Sequence, residues 1–344
     1  MAGQDKRGKT KKPSMYDVAR LAGVSQTTVS FVVNDVADSN IPQETKDRIW
    51  TAVRELGWRP NALARGLTLQ RSHTIGFISD EIATTPHAGK IIQGAQDAAW
   101  ATNKLLLVIN TGRNAAIEHD AVEMLLERQV DGLIYATMYH RPVSLPRAIR
   151  QVPVVLLDCY VEDRSLPSVV PDEVQGGRTA TEALLQKGHR RIGFINNVDP
   201  IPATFGRLEG YKQALAAHDV PFDRRMVCAQ ISDGAGGYQG AMALMQRPDP
   251  PTALFCFNDT IAMGAYDALR KLGLAIPDDV AVVGFDNLEL IAAHLYPPLS
   301  TLELPHYAMG QWAVQYLLDH ADSASDPAPM QQKLACPFIS RSSV

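Results

Sequence analysis

Two short helices joined by a glycine turn are predicted by the first apolar pattern along the chain. Val18, Ala19 and Ala22 would share the inward face of a helix over about residues 16 to 21. Gly23 accepts the left-handed backbone conformation that a tight turn requires. A second helix begins directly after this turn, so the segment is predicted to fold as a compact helical pair.

The second helix, over about residues 26 to 34, presents a polar outer face. Ser25 is placed to cap it, because its side-chain oxygen can accept an otherwise unpaired N–H of the first turn. The inward residues, at three- and four-residue steps, are Val29, Val32 and Val33, and the outward ones are Gln26, Thr27, Ser30 and Phe31. Helices paired in this way form a helix-turn-helix, which places its second helix in the DNA major groove.

A third helix and a shorter segment follow. Ile49, Val53 and Leu56 form a stripe along a helix over about residues 45 to 56, and this stripe would close a three-helix core. Residues 62–67 (ALARGL) have helical composition, but so short a helix is unstable in water on its own. The segment is therefore expected to become ordered only against a partner, which makes it a candidate switch.

From residue 75 onward, short apolar runs alternate with amphipathic stretches, and the series occurs twice. The first series has runs at 75–79, 105–109, 130–135 and 152–157, and the second has runs at 191–195, 252–257 and 280–285. Such alternation is typical of buried parallel strands joined by crossover helices. The predicted fold class is an all-α helix-turn-helix head followed by an α/β core of two doubly wound parallel sheets. The cleft between the two halves is the expected ligand site, because such sheets bind ligands beyond the carboxyl ends of their strands.

Composition excludes several classes of protein. The chain has 344 residues, of which 46% are hydrophobic and 20% charged, and this balance fits packed domains rather than general disorder. The four cysteines are far apart and form no C-x-x-C, so neither a disulfide framework nor a structural zinc site is indicated. No apolar run has membrane-spanning length, and no secretion signal is recognised. We expect a soluble, cytoplasmic protein with no membrane partner and no metal or cofactor.

The charge is distributed unevenly along the chain. Residues 1–71 hold 12 lysines and arginines against 7 acidic residues, a net charge of +5, whereas the rest of the chain has a net charge of −9. Basic side chains that neutralise phosphates release counterions and thereby gain affinity for nucleic acid. The basic head therefore favours a polyanionic partner, in agreement with the predicted helix-turn-helix.

Three segments of the head share a collinear pattern: residues 16–34, the junction 56–61 (LGWRPN) and the hinge 64–67 (ARGL). On these segments the chain resembles the lactose-repressor (LacI/GalR) family of bacterial transcription regulators. In that family the hinges of two subunits fold side by side in the minor groove, and a leucine, matched here by Leu67, enters the central base step. The resemblance implies operator DNA as a partner, contacted by Tyr16, Ser25, Gln26, Thr27, Ser30, Phe31, Asn34, Asn61, Arg65 and Leu67.

Two positions of the head depart from the family pattern. Phe31 stands where many members carry an arginine that reads a guanine, and a phenyl ring offers only an apolar face to a thymine methyl group. The operator sequence therefore does not follow from the resemblance. Gly66 replaces the more common serine and weakens helix propensity by up to about 1 kcal/mol, so hinge folding should depend more strongly on DNA.

The core, over about residues 75–344, resembles the periplasmic-binding-protein-like core of the same family. The marks are residues 187–195 (KGHRRIGFI), 207–211 (RLEGY), 257–259 (FND) and 276–286 (IPDDVAVVGFD). The resemblance implies a small-molecule effector bound by Asp80, Asp158, Arg207, Asn258, Asp286 and His306. Carboxylates, an amide and an arginine fork suit the adjacent hydroxyls of a sugar. No heptad tail follows the core, so a homodimer is expected rather than a tetramer.

These observations give an expected domain organisation. A disordered basic tail covers residues 1–14, the helix-turn-helix domain 15–60, the hinge and linker 61–74, and the core 75–344. Within the core, the first half would comprise about residues 75–170 with 300–330, and the second half about residues 171–299 with 331–344.

Three alternatives stay open beside this interpretation. Asn258 and Asp286 also suit helix caps at strand ends. A carbohydrate-binding or transport-associated protein would use the same core without DNA, but that class predicts an export signal and no head. A hydrolase or isomerase of sugars needs a paired acid and base, and no G-x-S-x-G, P-loop or H-E-x-x-H motif occurs. The sequence thus favours a dimeric, non-enzymatic transcription repressor controlled by a small molecule.

Overall fold

The computed structural model describes residues 12–34, 36, 39–59, 72–84, 89–320 and 330–344. The chain divides into two units, residues 1–72 and 73–344. The expected hinge contacts Asn61, Arg65 and Leu67 lie outside the described residues, as does most of the expected basic tail.

The first unit is a three-helix head. Its helices are α1 (Met15–Ala22), α2 (Gln26–Val33) and α3 (Gln43–Leu56). Gly23 and Gly57, with φ angles of 65° and 59°, end α1 and α3 in the left-handed conformation. The Ser25 side chain accepts the Thr28 N–H at 3.1 Å and caps α2, which confirms the predicted cap.

The apolar stripes of the three helices meet in one core. Val18, Val29 and Ile49 are fully buried there, and Trp58 packs against them with 9% exposure. Leu56 contacts the same cluster but is only partly buried. The tryptophan of the junction therefore belongs to the core of the head.

The second unit contains two six-stranded sheets. The strands of the first are β1 (Thr74–Ser79), β2 (Leu105–Asn110), β3 (Gly132–Pro142), β4 (Val154–Tyr160), β5 (Ser168–Pro171) and β11 (Gln331–Leu334). They lie in the order β11-β5-β4-β3-β1-β2, and all neighbours are parallel. Helices α4 (Gly89–Ala101) and α11 (His306–Asp319) share one core cluster with this sheet, and α5 (Ala115–Glu127) shares the cluster on its other face.

The second sheet repeats this plan. Its strands are β6 (Ile192–Asn197), β7 (Val227–Gln230), β8 (Ala253–Cys256), β9 (Ala281–Asp286), β10 (Ser300–Glu303) and β12 (Phe338–Ile339). Their order is β12-β10-β9-β8-β6-β7, and all neighbours are parallel except β12, which is antiparallel to β10. The helices of this half are α6 (Glu173–Gln186), α7 (Pro202–Ala217), α8 (Gly234–Met245), α9 (Asp259–Leu272) and the short α10 (Glu289–Ala292).

The chain passes between the two sheets three times, and the structure differs from the expected half-boundaries at two strands. β10 belongs to the second half and not the first, because Thr301 pairs with Gly284 of β9. β11 belongs to the first half and not the second, because Gln332 pairs with Val169 of β5. Strands of four residues carry too little apolar pattern to reveal which sheet they join.

Among the described residues, no helix combines the length and the apolar composition that crossing a bilayer requires.

Candidate functional site

A cavity of about 520 Å³ lies between the two halves of the second unit. Strands β3 and β4 of the first sheet and β6, β8 and β9 of the second end at its wall, so the carboxyl ends of both sheets face it. Its volume lies within the usual range for small-molecule sites. The charged residues that line it are Asp158, Glu173, Asp199, Asp286, Glu289, Glu303, Lys90 and Arg207.

Strand β3 bulges beside the cavity. Its pairing with β4 shifts between Ala136 and Arg141, so residues 137–140 lie opposite the one residue Asp158. The Thr137 hydroxyl donates to the Asp158 carbonyl at 2.8 Å and holds the bulge in place. The last three residues of the bulge line the cavity. Bulges of this kind re-aim side chains next to functional sites.

Asp158 is a buried carboxyl near the end of β4. It is 3% exposed, and its φ angle of 56° lies in the left-handed region. Among the described residues, no group forms a hydrogen bond with its Oδ1 atom. Burial raises the pKa of Asp158 well above its usual range, Glu173 raises it further, and Arg207 opposes the rise. Backbone strain and an unpaired buried carboxyl together are typical of a binding site.

Arg207 is the centre of a buried ion cluster. Its Nε atom donates to Glu173 Oε2 at 2.7 Å, and its Nη2 atom lies 3.6 Å from Asp286 Oδ1. Nη1 donates to the carbonyl of Phe257. The guanidinium also stacks on the Phe285 ring, 3.6 Å from its centroid. Every branch of the fork is thus engaged within the protein, so Arg207 shapes the wall as a fixed ion pair.

Asp286 ends β9 beside this cluster. Its φ angle of 103° is a second left-handed backbone at the cavity. Burial raises the pKa of Asp286 to about 8, Arg207 opposes the rise, and the carboxylates of Asp259 and Glu173 add to it. Asp286 does not cap a helix here. Its side chain is held by Arg207 instead, 3.6 Å away.

Asn258 and His306 also line the cavity. Asn258 Oδ1 accepts the Ile261 N–H at 2.8 Å and so caps α9, and its Nδ2 atom donates to Ser232 Oγ at 2.7 Å. The helix cap accounts for this residue, and its contact with an effector stays a prediction. His306 is 6% exposed and begins α11 directly after the crossover from β10.

Asp80 does not line this cavity. It follows β1 and is 2% exposed, and its carboxylate accepts the Met138 N–H at 2.9 Å and an N–H of Arg141 at 3.1 Å. The guanidinium of Arg113 lies 3.8 Å from the same carboxylate. These partners hold Asp80 in a neighbouring pocket of about 230 Å³. The structure therefore separates Asp80 from the five other predicted effector contacts.

Several cavity residues were not among the predicted contacts. Glu173 begins α6 just after the end of β5. Its position behind the carboxyl end of a strand is the sequence signal that could have identified it as a cavity residue. Lys90 of α4 and Glu303 at the end of β10 form an ion pair of 2.9 Å, which joins the two halves across the cavity. No local pattern marks this pair, because its members lie 213 positions apart.

The outer face of the head carries the described members of the predicted DNA-contacting set. Gln26, Thr27 and Ser25 are exposed, while Ser30 and Asn34 are partly buried and joined by a hydrogen bond of 3.1 Å. Tyr16 and Phe31 are large hydrophobic side chains with exposed fractions of 59% and 42%. Both aromatic rings are therefore accessible on the surface of the head, and their contact with DNA stays a prediction.

Asp286→Asn tests the buried carboxyl through pH. Folded Asp286 keeps its proton up to about pH 8, whereas an unfolded aspartate loses it near pH 4, so its contribution to stability is present below about pH 4 and is lost as pH rises to about 8. Between about pH 5.5 and about pH 7.5 the free energy of unfolding of the unmodified chain should fall by about 2 kcal/mol more than that of the variant. Urea denaturation at both pH values measures this.

The control is Asp278→Asn, an exposed carboxyl outside the cavity. It should follow the unmodified chain at both pH values. The same pH slope in Asp286→Asn and in the unmodified chain would contradict the buried, protonated carboxyl.

Comparison with known families covers both units. Residues 14–61 match the model described as bacterial regulatory proteins, lacI family. Residues 72–340 match the model described as periplasmic binding proteins and sugar binding domain of LacI family. The two matches follow one another along the chain and meet close to the division between the units.

Curated relatives and solved structures agree with these matches. The chain is 34% identical over 326 residues to the ribose operon repressor of Escherichia coli, covering 93% of this chain and 96% of the relative. It is 32% identical over 313 residues to the HTH-type transcriptional repressor PurR of Vibrio atlanticus, covering 89% and 91%. It is similar to the lac repressor dimer bound to operator and an anti-inducer, with 27% identity, a TM-score of 0.78 and coverage of 97% and 99%.

Proposed function

This chain belongs to the lacI family of bacterial regulatory proteins and is a DNA-binding transcription regulator, and we propose that it represses transcription as a homodimer on a near-palindromic operator. Its effector is a small, hydroxylated molecule of the sugar type that binds in the cavity between the halves of the core. The observation that carries the proposal is this cavity, about 520 Å³ and lined by polar groups of both halves, in a chain that also holds a helix-turn-helix.

The DNA contacts of the head are part of the proposal. Gln26 and Thr27, exposed at the start of α2, read base edges, since the N-terminal residues of the second helix enter the major groove. Phe31 offers its ring to a thymine methyl group. Asn61, Arg65 and Leu67, which lie outside the described residues, supply the minor-groove contacts of this proposal.

Effector binding changes the angle between the two halves of the core. A molecule in the cavity contacts both halves at once, near the Lys90–Glu303 ion pair and the three crossovers. Its affinity therefore differs between the core arrangements before and after this change of angle. Only such a difference in affinity can shift the equilibrium between the two arrangements. A coupling free energy of about 1 to 3 kcal/mol between the effector site and the DNA-binding site is typical of such regulators.

The proposal extends to what the protein does not use. We infer that it acts in the cytoplasm, without catalysis and without a cofactor beyond the effector. The support is that the curated relatives are transcriptional repressors. The alternative, a carbohydrate-binding protein without DNA, leaves the head and its match at residues 14–61 unexplained.

Gln26→Ala tests the reading helix. We expect the unmodified chain to retard DNA from its own promoter region in a mobility-shift assay, and the variant to bind that DNA at least about tenfold more weakly, since one good base contact contributes about 1 to 3 kcal/mol. Nonspecific DNA should be bound equally by both. Glu55→Gln, an exposed acid on α3, serves as a folded control. No retardation by the unmodified chain at low salt, with or without candidate sugars, would count against regulation of its own promoter region.

A further inference from the structure

The charged residues around the cavity do not balance. Among the described residues that line it, six are acidic and two are basic. Lys90 is already paired with Glu303, and Arg207 is shared between Glu173 and Asp286. No basic side chain among these residues is left to compensate Asp158. The exposed acids Asp199 and Glu289 add negative potential at the rim.

Asp158 is the buried acid of this set that the described residues leave uncompensated. Its side chain is almost fully buried, and its Oδ1 atom has no hydrogen-bond partner in the described part of the chain. A buried carboxyl without a partner is costly to the folded state. Burial and the nearby Glu173 raise the pKa of Asp158 accordingly, and Arg207, which opposes the rise, is already engaged by Glu173 and Asp286.

His140 offers complementary hydrogen bonding beside it. Neither ring nitrogen has a partner among the described residues, and the side chain lines the cavity. Burial, together with the positive charges of Arg164 and Lys333, lowers the pKa of His140 to about 4. The ring is therefore neutral near pH 7 and presents one donor and one acceptor. This pair suits a hydroxyl group.

We propose that the effector is a hydroxylated molecule with a protonated amine, and that its ammonium group binds Asp158 Oδ1 while a neighbouring hydroxyl meets His140. The inference rests on the proposed function of the cavity and specifies the chemical class of its ligand. A phosphate or carboxylate on the ligand would meet six acids and two bases that are already paired. An ammonium ion supplies the missing positive charge and up to three N–H donors.

Matched ligands test this preference on the full-length protein. Glucosamine, galactosamine and mannosamine are each compared with the parent hexose and with the phosphate ester of that hexose, by calorimetry at about pH 7. We expect at least one amine to bind about tenfold more tightly than its parent, since a charge-assisted hydrogen bond is roughly twice as strong as a neutral one. We expect the phosphate esters to bind most weakly.

Asp158→Asn assigns the preference to one atom pair. The variant should lose the amine preference, so that amine and parent hexose bind with similar affinity, and Asp278→Asn, outside the cavity, should keep the preference. No preference for the amine in any pair, including no binding by any ligand, overturns the inference. A preference that persists in Asp158→Asn overturns it too. If Asp158→Asn fails to fold, the comparison of amine and parent hexose on the unmodified chain still decides whether the inference holds.

Operator binding separates this inference from the function on which it rests. The same protein samples are tested for retardation of promoter DNA without ligand. If a neutral hexose or a phosphate ester releases the retarded DNA, the proposed regulatory function stands and the inference that the effector is an amine is overturned. Without retardation, the regulatory proposal fails while the ligand comparison still reports on the cavity.

Discussion

Arg207→Ala is expected to lower the free energy of unfolding of the core by about 3 to 5 kcal/mol, because it leaves the buried carboxylate of Glu173 without its cation. Glu173, 2.7 Å away, would then lie buried without a cation, and Asp286, 3.6 Å away, would lose the positive charge beside it. The stacking on Phe285 is lost as well. Urea denaturation, followed by far-ultraviolet circular dichroism, measures the change.

The response to effector should disappear in the same variant. The wall formed by the ion cluster is part of the cavity, so its collapse removes the binding site. Operator binding should persist as long as the effector-binding unit of the variant stays folded, because the helices of the head pack around a separate hydrophobic core. The mobility-shift assay, with and without effector, separates these two effects.

Arg178→Ala is the matched control for this prediction. Arg178 is an arginine of α6 that pairs with Glu182, but 52% of its side chain is exposed. Exposed pairs contribute at most about 1 kcal/mol, because solvent screens them. Adding Glu173→Gln to Arg207→Ala should recover part of the loss, since it removes the negative charge that has lost its cation. Equal stability of Arg207→Ala and Arg178→Ala would show that the cluster is not the buried network described above.

The head could be predicted closely from the sequence, because its signals are local. A capping serine, a glycine with positive φ and valines at helical spacing each act over a few residues. Ser25, Gly23 and Val29 lie where those rules put them. The apolar runs of the core were equally informative, because buried parallel strands need little besides continuous apolar sequence. The two-sheet fold followed from their repetition.

The site was predicted only in part, because its partners come from distant segments. Arg207 pairs with Glu173 and Asp286, which lie 34 and 79 positions away along the chain. Asp80 was expected in the cleft, but the bulge in β3 brings the Met138 N–H and Arg141 to its carboxylate. Pairings of this kind depend on strand register, which local pattern does not encode.

Two carboxyl residues of the cavity, Asp158 and Asp286, have a strained backbone. Asp158 and Asp286 each adopt a positive φ angle, at which a residue other than glycine is disfavoured. Both side chains line the cavity, one at the end of a strand in each half. Strain of about 1 to 3 kcal/mol per residue persists where the surrounding structure imposes it, and it collects at ligand sites. The fold therefore holds one carboxyl of each half in place before any ligand arrives.

Gly210→Ala is the second variant with a large expected effect. Gly177 of α6 and Gly210 of α7 let the two helices approach until their backbones touch, and this approach brings Arg207 within reach of Glu173. A Cβ at position 210 would overlap the carbonyl oxygen of Val174. Alanine improves helix propensity by about 1 kcal/mol, but the overlap involves backbone atoms that cannot rotate away. We therefore expect a net destabilisation of about 3 kcal/mol or more.

Gly89→Ala separates the clash from the general effect of adding a methyl group. Gly89 begins α4, and a Cβ there would meet no atom of the described residues within 4 Å, so the free energy of unfolding should change by less than about 0.5 kcal/mol. Urea denaturation of both variants gives the comparison, and calorimetry with a bound effector shows whether the cavity is lost together with the helix contact. If Gly210→Ala were as stable as Gly89→Ala, the close approach of α6 and α7 would not be what positions Arg207. If it were unstable but still bound effector normally, the ion cluster would form independently of that approach.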